Sequence, residues 1–284
     1  MFEKILVPLD GSAFAEQVID DLEPILQLEY PELHLLRVVT PLRLSEFERK
    51  PREAEKYLED LTRRLSARRA TLSSHVETGD PAAMILEFAT KHAISLVAMS
   101  THGHGGLLRW VRGSVAERVL RRCPVPLLLT NKEGRTGTQG FRRILVPLDG
   151  SDTAAQVLPL VKQIAPHFQA EVTLLCVEQP QVVVTPFAVP SSPPTSAGKL
   201  AAEVLGPVLE DLREAGLQAK GETAVGPPAE WILETARSEG TDLLALTTHG
   251  RSGPSRWLFG SVAEKVIRKS PCPLLVQRIK QEQE

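Results

Sequence analysis

FEKILVPLDGS, residues 2–12, returns almost unchanged as FRRILVPLDGS at residues 141–151. Each copy holds a compact apolar run that ends on a turn signal, which reads as a buried strand of a parallel sheet. Outward from the first copy, a helical pattern covers 12–28 with Ser12 as its cap, and LHLLRVV (33–39) is a second strand. A highly charged helix is expected at 51–70, a third strand within 71–79, and a helix from Pro81 to about 92. SLVAMS (95–100) is a fourth strand, a helix covers 114–122, and PVPLLLT (124–130) is a fifth strand. The second copy keeps this order through RILVPLD, AEVTLLCV, a helix at 199–215, a strand at 218–224, a helix at 229–239, LLALTT, a helix from 261 and PLLVQR. Strands that alternate with helices and carry no polar face predict an α/β fold. The expectation is two tandem three-layer α/β/α domains, each with a five-stranded parallel sheet.

A chain of 284 residues has room for two such domains. The boundaries expected are 1–130 for the first, 131–140 (NKEGRTGTQG) for a linker, and 141–284 for the second. The second copy is longer, and its extra residues fall in or near the Pro-rich stretch 179–198, whose prolines forbid a regular helix.

Lys plus Arg number 33 against 35 Asp plus Glu, a formal net charge of -2, so nothing in the balance asks for nucleic acid or a membrane surface. No stretch approaches the roughly 20 apolar residues of a membrane span, and a cytoplasmic protein is expected. Cys123, Cys176 and Cys272 form no CxxC pattern, and Cys176 in VTLLCV reads as a buried thiol.

A second repeated segment carries the chemistry. THGHGGLLRWVRGSVAE (101–117) returns as THGRSGPSRWLFGSVAE (248–264) with eleven of seventeen positions identical. Each copy follows a strand and ends in Gly-Ser at the start of a helix, where ligands of open parallel sheets bind. Glycines admit close backbone approach, and the free N–H groups of a first helical turn favour an anion. Structural turns with a capped helix account for the same pattern equally well. Asp10 and Asp149 end the first strand of each copy, where a carboxylate could accept from a ribose hydroxyl or a base amine, or could simply make an Asx turn. His102 and His249 stand without an evident nucleophile to activate, and Arg109 and Arg256 each neighbour a Trp. Asp80 faces Pro227 at the corresponding position, so any contact made there in copy two would be by backbone.

With these residues in place, the chain resembles the universal stress proteins of the UspA type in their tandem form, over nearly its whole length. The nucleotide-binding members share G-x2-G-x9-G-S/T; its last two glycines fall here on Gly103 and Gly113, followed by Ser114, and on Gly250 and Gly260, followed by Ser261. The first glycine position is Ser100 in one copy and Thr247 in the other. The resemblance implies a Rossmann-like fold that binds ATP or another adenine nucleotide, with magnesium as the accompanying cation. It implies Asp10 and Asp149 near the base or ribose, and Val39 and Val177 beside the adenine. Main-chain groups of Gly103, His104, Gly113, Ser114 and Val115, and of Gly250, Arg251, Gly260, Ser261 and Val262, would hold phosphates. It also implies a role in stress tolerance or regulation, and pairing through the last strands, PVPLLLT and PLLVQR, within one chain or in a homodimer. The alternatives are a scaffold with one or both pockets vestigial, and a slow ATPase or phosphotransferase.

Overall fold

The computed structural model describes residues 1–101, 115–131, 140–179, 197–248 and 260–278, the side chains of 197–201 excepted. The chain divides into two compact units, Met1–Gly140 with Cys272–Glu284, and Phe141–Pro271. In chain order the first unit contributes β1 (Lys4–Leu9), α1 (Ala13–Glu29), β2 (Glu32–Val39), α2 (Glu46–Leu65), β3 (Thr71–Thr78), α3 (Pro81–Lys91), β4 (Leu96–Ser100), α4 (Val115–Arg122) and β5 (Leu127–Thr130). The second contributes β6 (Arg143–Pro147), α5 (Asp152–Ala155), α6 (Leu158–Phe168), β7 (Glu171–Glu178), α7 (Ala197–Glu214), β8 (Gln218–Val225), α8 (Pro228–Ser238), β9 (Leu243–Thr247) and α9 (Ser261–Lys269). The last strand, β10 (Leu274–Gln277), lies in the first compact unit.

Five strands of the first unit run parallel in the order β3-β2-β1-β4-β5, and β10 joins β5 antiparallel through Leu274↔Leu129, Leu275↔Leu128 and Val276↔Leu127. In the second unit the parallel order is β9-β6-β7-β8. The chain moves one way along the sheet through α1 and α2, then crosses back through α3 and α4. Right-handed crossovers therefore place α1 and α2 on one face and α3 and α4 on the other. The core is their apolar filling: Ile5, Leu6, Val7, Leu33, Leu35, Leu96 and Val97 are essentially inaccessible, and Ile144, Leu145, Val172, Leu174 and Leu244 repeat the arrangement. The mostly parallel α/β architecture expected from the sequence is present.

The VPLDGS segments build one turn twice. Asp10 Oδ1 accepts from the Ser12 N–H (2.9 Å) and hydroxyl (2.6 Å), and Ser12 Oγ accepts from the Ala15 N–H (3.1 Å), which caps α1. Asp149, Ser151 and Ala154 repeat these bonds at 3.0, 2.6 and 3.1 Å. Gly11 and Gly150 stand between them at φ 82° and 80°, a left-handed conformation that any residue with a Cβ resists.

Two helices depart from expectation. The α2 helix starts at Glu46 and ends at Leu65, rather than spanning 51–70, and carries Pro51 inside it. Glu46 accepts from the Leu42 N–H (2.8 Å) and anchors that earlier start. The single α1 of the first unit is matched in the second by a short α5 and a separate α6, and Pro159 stands in the first turn of α6. Its ring nitrogen has no hydrogen to give Ala155, so the helix restarts there.

Candidate functional site

The strand order of the first unit reverses between β1 and β4, and the two strands separate early. Only Ile5↔Leu96 and Leu6↔Val97 are paired, and Pro8, which cannot donate to a ladder, follows. The same holds between β6 and β9, with Pro147 in the role of Pro8. In the first unit this opening leads to a cavity of about 230 Å³ at the carboxyl ends of the strands. Its walls come from Asp10 after β1, Arg37 and Val38 of β2, Ile85 of α3, Ser100 of β4, and Val115 at the start of α4. This is where an open parallel sheet receives its ligands.

Of the expected residues, Asp10 and Val115 line the cavity. Asp10 also makes the Asx turn, so its Oδ1 is held by Ser12. The strand register brings Val38, rather than Val39, to the wall: Val39 is 6% exposed, and its carbonyl accepts from the Gly79 N–H at 3.0 Å. Val39 ends β2, one residue beyond the wall that Arg37 and Val38 form. Glu32 pairs with Lys4 and Glu171 with Arg143, so Val177 is the counterpart of Val38 and Glu178 that of Val39. The Glu178 carbonyl accepts from Gly226 (2.9 Å), as that of Val39 does from Gly79.

In the second unit Asp149 holds the same turn as Asp10. Gly260 is the N-cap of α9, Ser261 its exposed first residue and Val262 half-buried; the Gly260 N–H donates to the Thr248 carbonyl (3.1 Å). Gly103, His104, Gly113, Ser114, Gly250 and Arg251 lie outside the described residues, as do His102, Arg109, His249, Arg256, residues 132–139 of the expected linker and 180–196 of the insertion. Ser100 and Thr247 are the buried final residues of β4 and β9 and stand outside the positive-φ set. A side chain at the first glycine position of the motif is therefore compatible with the backbone there.

Arg37 is a cavity residue that sequence reasoning missed. Its Nη1 donates to the Leu9 carbonyl (3.1 Å), and its guanidinium lies beside the Gly11 backbone. Burial pulls its pKa below the usual value, and the Asp10 carboxylate opposes that shift. A single cation within the apolar run LHLLRVV was the available signal. By the strand register its counterpart in the second unit is Cys176, 5% exposed. All three cysteines are buried thiols outside any disulfide, and burial raises the Cys123 thiol to about 11.

Asp80 is used within the protein. Its Oδ1 caps α3 by accepting from the Ala83 N–H (3.0 Å), and both carboxylate oxygens accept from Arg118 of α4. The hydrogen bonds from Arg118, then the cap, hold its pKa below the ordinary carboxylate value. Pro227 caps α8 with no side-chain bond, and a Lys265–Glu230 pair (2.8 Å) joins α8 to α9 instead.

Two copies of a parallel α/β unit, one with a crevice at its switch point, define a tandem protein of the Rossmann-like class. Its affiliation is narrower than that. The universal stress protein family model matches residues 1–131 and again 140–278, and the chain belongs to that family. A universal stress protein of Methanocaldococcus jannaschii is 34% identical over 150 residues, which span 50% of this chain and 85% of that protein. One of Bacillus subtilis is 33% identical over 147 residues, 49% of this chain and 99% of that protein. The crystal structure of a universal stress protein from Archaeoglobus fulgidus superposes with a TM-score of 0.75 at 22% identity, covering 98% of this chain and 99% of the other, a likeness of fold.

Proposed function

We propose that this chain is an adenine-nucleotide-binding stress protein whose first unit takes the base and ribose of ATP, or of a related nucleotide, into the switch-point cavity. The observation that carries this reading is the convergence of Asp10, Arg37, Val38 and Val115 on one cavity. Its volume of about 230 Å³ lies just under the roughly 300–1,000 Å³ usual for small-molecule pockets, which suits a nucleoside whose phosphates extend beyond it. The start of α4 at Val115 turns a positive dipole end toward those phosphates. The Gly103, Gly113 and Ser114 motif immediately precedes it. Among the described residues no group of three His, Cys, Asp or Glu is arranged to hold a metal ion. A magnesium ion would accompany the phosphates.

The second unit carries the same turn and the same motif, with Cys176 and Pro227 where the first has Arg37 and Asp80. It is the weaker candidate for binding. Bound nucleotide would change the surface presented by residues 101–114 to a regulatory partner, in the cytoplasm.

Calorimetry on protein stripped of nucleotide, with ATP and magnesium, tests the reading. Gly113→Asp and Gly260→Asp place a carboxylate where the motif expects phosphate. Binding that Gly113→Asp removes supports the proposal. Absence of binding to the unaltered chain, confirmed by equilibrium dialysis, would make the chain a scaffold.

A further inference from the structure

Away from the cavity, three histidines of the first unit meet between α3 and the sheet. His34 of β2 and His75 of β3 face each other with Nδ1 and Nε2 3.2 Å apart, and Ser73 Oγ lies 2.9 Å from the first nitrogen and 3.2 Å from the second. Phe88 of α3 packs edge-on to both rings, with centroids 5.8 and 4.8 Å away. His92, which caps the helix, stacks on Phe88 at 4.0 Å and stands 6.0 and 5.8 Å from the other two imidazoles. His34 is 8% exposed; its Nε2 is shielded from solvent, has no hydrogen-bond partner among the described residues, and lies 3.5 Å from the Glu32 carboxylate. The charged groups acting on the cluster are Glu32 of β2, Lys4 of β1, Glu77 of β3 and His92 itself.

The second unit fills the equivalent position with different chemistry. There Thr173, Lys220, Glu222, Thr235 and Glu239 replace His34, Ser73, His75, Phe88 and His92, as the strand registers and helix starts align them. Lys220 Nζ sits at 2.6 Å from Glu239, 3.2 Å from Glu222 and 3.3 Å from Glu171, and Thr173 donates to Glu239. One position thus carries a lysine–carboxylate network in one unit and an imidazole cluster in the other.

The short His34–His75 approach needs one nitrogen to donate and the other to accept. Two neutral rings satisfy it, and so does a pair that shares one added proton. A second proton leaves two N–H groups opposed, with the His92 ring about 6 Å away. At His34, the buried member of the pair, there is little solvent with which to relieve that repulsion.

We propose that the seam joining α3 to β2 and β3 is an acid-sensitive latch of the first unit, which loosens when the His34–His75 pair takes up its second proton, while the second unit stays closed. Burial holds both rings below the ordinary 6.5, and Glu32 and Glu77 only partly offset this. As pH falls through 6.5 the unfolded segment binds protons first. The stability of the seam is complete above that pH, and is lost progressively below it down to the folded pKa values. The latch adjoins the candidate site, since Val38 follows His34 on β2, and Pro81 and Ile85 precede Phe88 on α3. Loss of nucleotide from the first unit in acid rests on the function proposed above; loosening of the seam does not.

Hydrogen exchange of the nucleotide-free chain, corrected for the intrinsic pH dependence of exchange, tests the latch with α8 as an internal reference. Between about pH 7.5 and about pH 5.5, protection of α3 amides is expected to fall about tenfold or more relative to α8. His75→Gln, which keeps hydrogen-bonding capacity without titrating, should remove most of that difference. Equal changes in α3 and α8 would overturn the proposal. So would ring titration of His34 and His75 at or above pH 6.5 by nuclear magnetic resonance of the unaltered chain, a measurement that decides the matter even where a variant does not fold.

Discussion

Asp80 and Arg118 are joined by two hydrogen bonds of 2.6 and 2.7 Å across the amino-terminal parts of α3 and α4, the helices whose first residues, Pro81 and Val115, border the cavity. The pair joins two helices that both border the cavity. Because Asp80 also caps α3, its two duties can be separated. Asp80→Asn keeps a capping oxygen and loses the charge, whereas Asp80→Ala loses both. Loss of the cap should cost about 1 kcal/mol of stability in Asp80→Ala, measured by urea denaturation, with Asp80→Asn much closer to the unaltered chain. The depressed pKa of Asp80 adds a pH signature: its stabilisation is present above the ordinary value of 3.8 and disappears as pH falls through the lower, folded value.

The paired turns provide an experiment with its own control. A Cβ on Gly150 would lie 2.9 Å from Val204 Cγ2, whereas one on Gly11 would approach nothing nearer than the Arg37 side chain at 3.7 Å. Both positions have positive φ, so Gly11→Ala should cost about 1–2 kcal/mol from backbone strain alone. Gly150→Ala should cost measurably more, and denaturation midpoints of the two variants give the comparison directly.

Arg37 tests how the cavity handles charge. Arg37→Met keeps the aliphatic stem and removes the guanidinium, so an anionic nucleotide in the first unit should bind about tenfold more weakly. Cys176→Ala, at the counterpart position, should leave nucleotide affinity unchanged. Titration of each variant with ATP and with uncharged adenosine separates a charge effect from a lost wall: Arg37→Met should affect ATP far more.

The degree to which these features were legible in the sequence follows from how locally each is specified. ILVPLD and its turn are set by residues within about ten positions, and strand, Asx turn and cap are all as read. The start of α2 was missed because Pro51 resembles a first-turn proline, while the actual anchor is the Glu46 carboxylate on Leu42. Val38 and Val39 are neighbours at the end of β2, and which of them reaches the cavity follows from a register no single strand contains. The histidine cluster joins positions 34, 75 and 92, which meet only once β2 lies beside β3 and α3 crosses them. Asp10 could be placed at the cavity because it ends a strand at the carboxyl edge of the sheet, and Val115 through the motif shared with the family. The glycines and His104 between them lie outside the described residues.

Leu127, Leu128, Leu129 and Thr130 of β5 are all buried, and β10 pairs antiparallel with the first three. A strand stripped of that partner would present unpaired N–H and C=O groups along an apolar edge, a template for another chain. Removal of residues 272–284 takes away β10 and the buried Cys272, Leu274, Leu275 and Val276 with it. The shortened chain should therefore self-associate in a concentration-dependent way, and sedimentation velocity at several concentrations should show it beside the full chain. A Leu128→Lys change in the shortened chain places a charge on that edge and should reverse the association, though at a cost to the core. If the shortened chain sediments as the full one does and keeps its denaturation midpoint, β10 is dispensable to β5, and the pairing of last strands has no part in holding the first unit's edge closed.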